Sequence, residues 1–281
     1  MEVKFIEANG LRFGYLEKGT GPLVLLLHGF PDTAYTWDAS LDALAAAGYH
    51  AVAPFMRGYH PTAIPASGDY TTDTLAADAL ALIDAFDASG GPAILVGHDW
   101  GAAAAYSAAA IAPEKIRLLV TLAIPHPRSI RPTPRLAWTM RHFVTLRRKH
   151  AARRLAANDH ALVDVLVKRW SPSWEVPASE TARVKAAFRE PGCLDAALGY
   201  YRAIGVRLPK SQRVPVTIPT VAFAGEHDVI APRVYEKARH LFTAAYEVLQ
   251  VPGGHFMHRE HPAHFTTELV GALRDHEARQ R

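Results

Sequence analysis

Residues 95–107 read LVGHDWGAAAAYS. The stretch passes from an apolar, β-like run, Ala93-Ile94-Leu95-Val96, through Gly97-His98-Asp99-Trp100-Gly101 into an Ala-rich helical segment. Strand, tight turn and helix are the layout of a nucleophile elbow, with Asp99 at its apex. The backbone of such a turn is strained, so its neighbours must be small. Gly97 and Gly101 meet that need, and Ala102 and Ala103 keep the following helix slim. Taken alone, the pattern also fits a Gly-x-x-x-Gly whose Asp merely caps a helix. The flanking sequence has to separate the two.

Outward from the elbow, the sequence alternates. Residues 2–8 and 11–18 read as two strands around Asn9-Gly10, a hairpin signal. GPLVLLLHGF (21–30) is nearly all apolar, as expected of a strand buried on both faces of a parallel sheet. A helix follows over about 33–47, then a strand in YHAVAP (49–54). Leu75, Leu82, Ile83 and Phe86 give helical spacing over 71–89, with Thr71 or Thr72 as the cap. Another strand lies near IRLLVTLAI (116–124). After Pro125 the pattern changes. Residues 126–213 carry helical periodicity and proline breaks but no convincing strand, until IPTVAFAGEHD (218–228) restores the buried-strand pattern, followed by a helix, the strand YEVLQV and a final helix. The expectation is an α/β protein with a mostly parallel, doubly wound sheet and one helical insertion. Its parts are 1–125 and 215–281 for the core and 126–214 for the inserted helices.

Bulk properties exclude several classes. The chain has 281 residues, 49% hydrophobic and 21% charged, with a formal charge of +4. That suits a globular protein with a sizeable core and carries no nucleic-acid-binding motif. The basic run RHFVTLRRKHAARRL (141–155) reads as a solvated helix face. One cysteine, Cys193, excludes an internal disulfide. MEVKFIEANGLRFGYLEKG lacks a signal-peptide apolar block, and no apolar run reaches the ~18 residues of a spanning helix, so the expected location is the cytoplasm, without membrane attachment. No His/Asp/Glu set has metal-ligand spacing, so neither metal nor cofactor is expected.

Three further segments bear on the elbow. EHDVIAP (226–232) puts Asp228 at a strand end, where an acid can orient a histidine. VPGGHFMHREHP (251–262) puts His255 in a Gly-rich loop before the last helix; His258 and His261 are read as surface residues. The chain order is therefore nucleophile, acid, histidine. LHGFPDTAYTW (27–37) leaves a buried strand through His28-Gly29, so the amides of Phe30 and Trp100 are the candidate oxyanion hole.

On these residues the chain resembles the α/β-hydrolase superfamily along almost its full length. His28-Gly29-Phe30-Pro31 with Gly97-His98-Asp99-Trp100-Gly101 resembles the epoxide hydrolase branch, and the Asp-Trp pair is shared with haloalkane dehalogenases. The resemblance implies an α/β-hydrolase fold with a helical cap, an Asp99–His255–Asp228 triad, and a small apolar epoxide or related electrophile plus water as reactants. A homodimer is kept as a candidate assembly. A carboxylate suits attack on a saturated carbon, giving an alkyl–enzyme ester that water then cleaves.

One departure stands out. Epoxide hydrolases of this type usually offer two cap tyrosines. LGYYRA (198–203) nominates Tyr201, with Tyr200 beside it, and consecutive helical positions point about 100° apart, so at most one faces the pocket. RLAWTMRHF (135–143) places Thr139 where the first tyrosine is expected, and residues 126–199 hold no tyrosine. His126, His142 or Thr139 is then the substitute, or one donor serves alone. Trp138, Trp170, Trp174, Met140, Phe143 and Leu136 either line an apolar pocket or pack the cap onto the core. The competing enzyme is a haloalkane dehalogenase, which needs N–H donors such as Trp100 or a cap tryptophan rather than a phenol. KRWSP (168–172) resembles cap segments of that group, while Phe30 stands where one branch has a halide-binding Asn. A ligand-binding protein with little catalysis is the reading from another class.

Overall fold

The computed structural model describes residues 1–86, 91–131 and 133–280, with side chains except at 135–137. Eight strands form one sheet: β1 (Lys4–Ala8), β2 (Leu11–Lys18), β3 (Leu23–Leu27), β4 (His50–Pro54), β5 (Ala93–His98), β6 (Ile116–Leu122), β7 (Thr220–Gly225) and β8 (Tyr246–Val251). Their order is β1-β2-β4-β3-β5-β6-β7-β8. β1 and β2 pair antiparallel, as do β2 and β4, and every other neighbouring pair is parallel. Asn9 and Gly10 both take positive φ, 47° and 68°, and close the β1–β2 hairpin as their sequence demands.

The central strands explain the parallel arrangement. β3, β5 and β7 are buried at every position, and β6 at all but one. Helices cover both faces of such strands, so no polar alternation is needed. β1, at an edge, is largely exposed and carries Lys4 and Glu7, which discourages pairing with another chain. The helix expected over 71–89 runs Thr72–Phe86, with the Thr74 amide bonded to the Thr71 hydroxyl at 3.4 Å; residues 87–89 of that expectation lie outside the described residues.

Between β6 and β7 the described elements are all helical. The longer ones are Ala151–Trp170, which breaks at 157–160, Ala178–Arg189 and Cys193–Arg202. This segment is bound to the sheet side by specific contacts. The Arg57–Asp78 ion pair is buried at 2.6 Å, and the Arg57 carbonyl accepts from the Tyr200 hydroxyl at 2.8 Å. Arg259 bridges Asp32 at 2.8 Å and Glu180 at 2.6 Å.

The turn after β5 is tight. Asp99 has φ 50° and ψ −114°, a conformation that costs about 1–3 kcal/mol for a residue other than glycine. A Cβ on Gly97 would lie 2.4 Å from the Gly101 carbonyl oxygen, and one on Gly101 would lie 2.3 Å from that of Leu27. Both positions face backbone, which cannot move aside as a side chain can. Gly101→Ala is therefore expected to lower the unfolding free energy by about 1–3 kcal/mol in urea titration. Gly271→Ala is expected to raise it by about 0.5–1 kcal/mol, because Gly271 lies exposed inside helix Pro262–Gln280 with open space around it. Equal effects at the two positions would contradict this account of the turn.

Candidate active site

The elbow lifts Asp99 above the carboxyl ends of β3, β5 and β6. Its amide reaches back to the Leu122 carbonyl at 3.3 Å, and its carbonyl starts the following helix by accepting from Ala103 at 3.1 Å. Gly29 passes so close that a Cβ there would lie 2.4 Å from the Asp99 Cβ. This approach lets the Phe30 amide donate to Asp99 Oδ1 at 2.9 Å. His28 holds the loop in place. Its Nδ1–H donates to the Gly29 carbonyl at 3.0 Å and its Nε2 accepts from the Met56 amide at 2.9 Å. Burial pulls its pKa down to about 4, so the ring stays neutral and can play both parts. Trp100 is the first residue of helix Trp100–Ile111, and first-turn amides have no partner within their helix.

The other two sequence candidates converge on Asp99. His255 Nε2 lies 3.6 Å from Asp99 Oδ2, and its Nδ1 lies 3.1 Å from Asp228 Oδ1. The Asp228 carboxylate has no solvent exposure and also accepts from the Val229 amide at 2.5 Å. The His255 backbone is fixed from both sides. Its amide donates to the Trp170 carbonyl at 2.9 Å, and its carbonyl accepts from His98 Nε2 at 3.0 Å. The next amide, of Phe256, donates to the Ser171 hydroxyl at 3.0 Å.

Electrostatics follow from these contacts. Burial alone would lower the pKa of His255, but the charges and hydrogen bonds of Asp228 and Asp99 outweigh it and raise the group to about 10. Burial pushes Asp99 up, and the His255 hydrogen bond and charge reverse this, leaving it below the usual carboxylate value. Asp228 stays raised because burial dominates there. His98 is driven down to about 3 by burial and by His255, so no second cation forms behind His255.

Over the carboxylate sits the helical segment. The Tyr201 ring meets Phe30 and Trp100 edge-on, each at 5.2 Å between centroids, and Phe143 at 5.3 Å. Burial and the charge of Asp99 push its phenol well above 10, so it keeps its proton. The Tyr200 ring borders the cavity beside Asp99, but its hydroxyl is engaged, donating to the Arg57 carbonyl at 2.8 Å. Of the three substitutes considered for a second donor, His142 lies beside Tyr201 at 6.2 Å, His126 packs on Tyr106 and Phe242, and the Thr139 carbonyl accepts from His142 Nδ1 at 3.3 Å. A carbonyl only accepts, so Nδ1 carries the proton. Burial lowers His142 to about 4, leaving Nε2 as an acceptor rather than a donor.

Beside Asp99 opens a cavity of about 360 Å³, lined among others by Trp100, Ile124, Met140, Phe143 and Tyr200. That is an ordinary size for a small-molecule site. Trp138 is 70% exposed, Trp170 is buried against His142 and His255 at 4.7 and 5.4 Å between centroids, and Trp174 is buried; the side chain of Leu136 lies outside the described residues. One expectation is corrected. His258 is not at the surface but 2% exposed, bonded through Nε2 to the Thr36 hydroxyl at 2.6 Å and packed on His98 and Trp37. His261 is exposed. The sequence held no sign of this pairing, since Thr36 and His258 are 222 positions apart. Among the described residues, no group of three or more His, Cys, Asp or Glu could hold a metal ion, and no helix is long and apolar enough to cross a membrane.

Comparisons with known proteins agree with this architecture. Residues 22–262 match the family model for the alpha/beta hydrolase fold. The chain is 32% identical over 212 residues to the AB hydrolase superfamily protein YfhM of Bacillus subtilis, covering 73% of each chain. It is 45% identical over 121 residues to an epoxide hydrolase of Caballeronia sordidicola, a match spanning 43% of this chain and 36% of that relative. It also superposes on the crystal structure of an epoxide hydrolase from Vigna radiata with a TM-score of 0.77, 26% identity and 98% coverage of both chains.

The two carboxylates around His255 yield a direct test. Asp99→Asn removes one of them, so the titration midpoint of the His255 imidazole is expected to fall from about 10. Nitrogen-15 NMR of the ring reads it, and an unchanged midpoint would show that Asp99 does not act on His255.

Proposed function

Because this chain belongs to the α/β-hydrolase family, we propose that it is a hydrolase that opens epoxides to vicinal diols, with Asp99 as nucleophile and residues 126–214 as the cap over a core made of 1–125 and 215–281. The observation that carries the proposal is a carboxylate at the elbow apex whose charge reaches a proton-retaining phenol, Tyr201, packed edge-on against Phe30 and Trp100. The residue at that point is an aspartate and not an acyl-transfer serine.

The proton balance closes within the site. At rest Asp99 is an anion, His255 a cation and Tyr201 a neutral phenol. An Asp99 oxygen attacks the less hindered epoxide carbon in line with the breaking C–O bond, and the departing alkoxide takes the Tyr201 proton. The ester so formed has no charge, so His255 loses one of its two supports and its pKa falls. Its proton passes to the tyrosinate through solvent. Neutral His255, oriented by Asp228, then takes a proton from water, and the hydroxide attacks the carboxyl carbon of Asp99. The Phe30 and Trp100 amides hold the tetrahedral oxyanion. Collapse expels the diol oxygen, which takes the proton of the new carboxyl, and Asp99 is again an anion beside protonated His255. An amide donor of this kind contributes about 2.7–4 kcal/mol to the barrier reduction.

Two experiments test the scheme. His255→Gln is expected to stop at the ester, and intact-protein mass after exposure to terminal epoxides reads a gain of the whole epoxide, absent in Asp99→Ala. A gain of only an alkyl group from 1-haloalkanes, with none from epoxides, would instead make the protein a dehalogenase; full turnover by His255→Gln would refute the mechanism. Tyr201→Phe is expected to lower kcat on epoxides by about 10²–10⁴. A loss below tenfold, measured by stopped flow, would remove Tyr201 as the donor.

A further inference from the structure

A second cavity, of about 780 Å³, lies beside the one at Asp99. One wall comes from the segment after β6 and the other from the loop and helix after β7. The two cavities share Ile130 as a wall, and Thr139 lines one while Met140 lines the other. The lining differs sharply in charge. Arg128, Arg131, Arg233, Lys237 and His240 all border the second cavity. Its one acid among the described lining residues is Asp228, whose carboxylate is fully buried against His255. Glu236, on the same helix, pairs with Arg239 at 3.5 Å. Arg233 and Lys237 stand four positions apart on helix Pro232–Lys237, so they share a face, where like charges repel. The Arg128 guanidinium is held in place by donating to the Arg213 carbonyl. Cations gathered from two separate segments into one hollow, without acids to balance them, are relieved by a compact anion.

Resting on the epoxide reading above, we infer that this basin receives the oxyanion, carboxylate or phosphate, of an amphiphilic substrate whose apolar part and epoxide lie at Asp99. Ile130 is the threshold between the two halves. An anionic group there is held by exposed or half-exposed cations, so the attraction is moderate and weakens with salt.

The test compares wild type with the double variant Arg233→Gln/Lys237→Gln, which touches no group given a role in the reaction. The substrates are matched terminal epoxides of one chain length ending in carboxylate, phosphate or methyl ester. Wild type is expected to favour an anionic substrate over the ester in kcat/KM. The variant is expected to lose about tenfold on that substrate and nothing on the ester, and added salt is expected to imitate the variant. The anion that shows the larger loss identifies the headgroup. An unchanged ratio between anionic and neutral substrates would overturn the basin while leaving the epoxide reading intact. If no epoxide reacts, the epoxide reading fails, and calorimetric binding of octanoate, octyl phosphate and octanol decides the basin separately. Binding of either anion, lost in the variant and absent for octanol, supports it. Equal binding of all three, binding unaffected by the variant, or no binding of either anion, overturns it.

Discussion

Close approach of backbone to backbone at the apex of the elbow is the constraint from which the site follows. Asp99 can hold its positive φ only because Gly97, Gly101 and Gly29 carry no Cβ at 2.3–2.4 Å contacts. The same approach delivers the Phe30 amide to the Asp99 carboxylate at 2.9 Å. Strain of about 1–3 kcal/mol at one residue is small against the four central strands, in which each fully buried aliphatic side chain contributes about 1.5–3 kcal/mol. The sheet therefore over-determines a turn that the turn itself would not choose.

Burial then sets the charges. His28, His98, His126, His142 and His258 are driven neutral, while His255 is held protonated by two carboxylates. The difference lies in partners rather than depth. His98 is as inaccessible as its neighbours but binds only a carbonyl, which cannot stabilise a cation as an anion can. In a site arranged in this way, loss of charge at Asp99 removes the smaller of the two supports and lowers the His255 pKa, and that shift links the two halves of the proposed reaction.

The helical segment between β6 and β7 is joined to the same machinery. The Trp170 carbonyl and the Ser171 hydroxyl, at the end of one of its helices, bind the backbone of His255 and Phe256. Arg259, four residues on, reaches both Asp32 beside the Phe30 loop and Glu180 in the segment. Arg259 and Asp32 are buried, and removing one partner of that pair costs about 3–5 kcal/mol, whereas the Glu180 carboxylate is a third exposed and its arm of the link is weaker. Placement of Tyr201 over Asp99 and placement of His255 beside it thus depend on shared contacts.

The strands, the Asn9–Gly10 hairpin, the elbow and the strand-end positions of Asp99, Asp228 and His255 were legible in the sequence. Each rests on a local rule: apolar runs, glycine where φ must be positive, and chain order along a parallel sheet. Other features depended on which distant groups meet. Tyr200 and Tyr201 are adjacent and alike, and only the Arg57 carbonyl decides which hydroxyl is already engaged. His126, His142 and Thr139 were equal candidates until packing put one ring beside Tyr201. His258 looked like a surface residue because its partner Thr36 belongs to the other end of the chain. The basic basin likewise joins residues about a hundred positions apart. Local pattern determined where the chain bends and what it buries. Tertiary contact decided which polar groups share a low-dielectric space, and with it their protonation and direction, because those depend on neighbours that no single stretch of sequence contains.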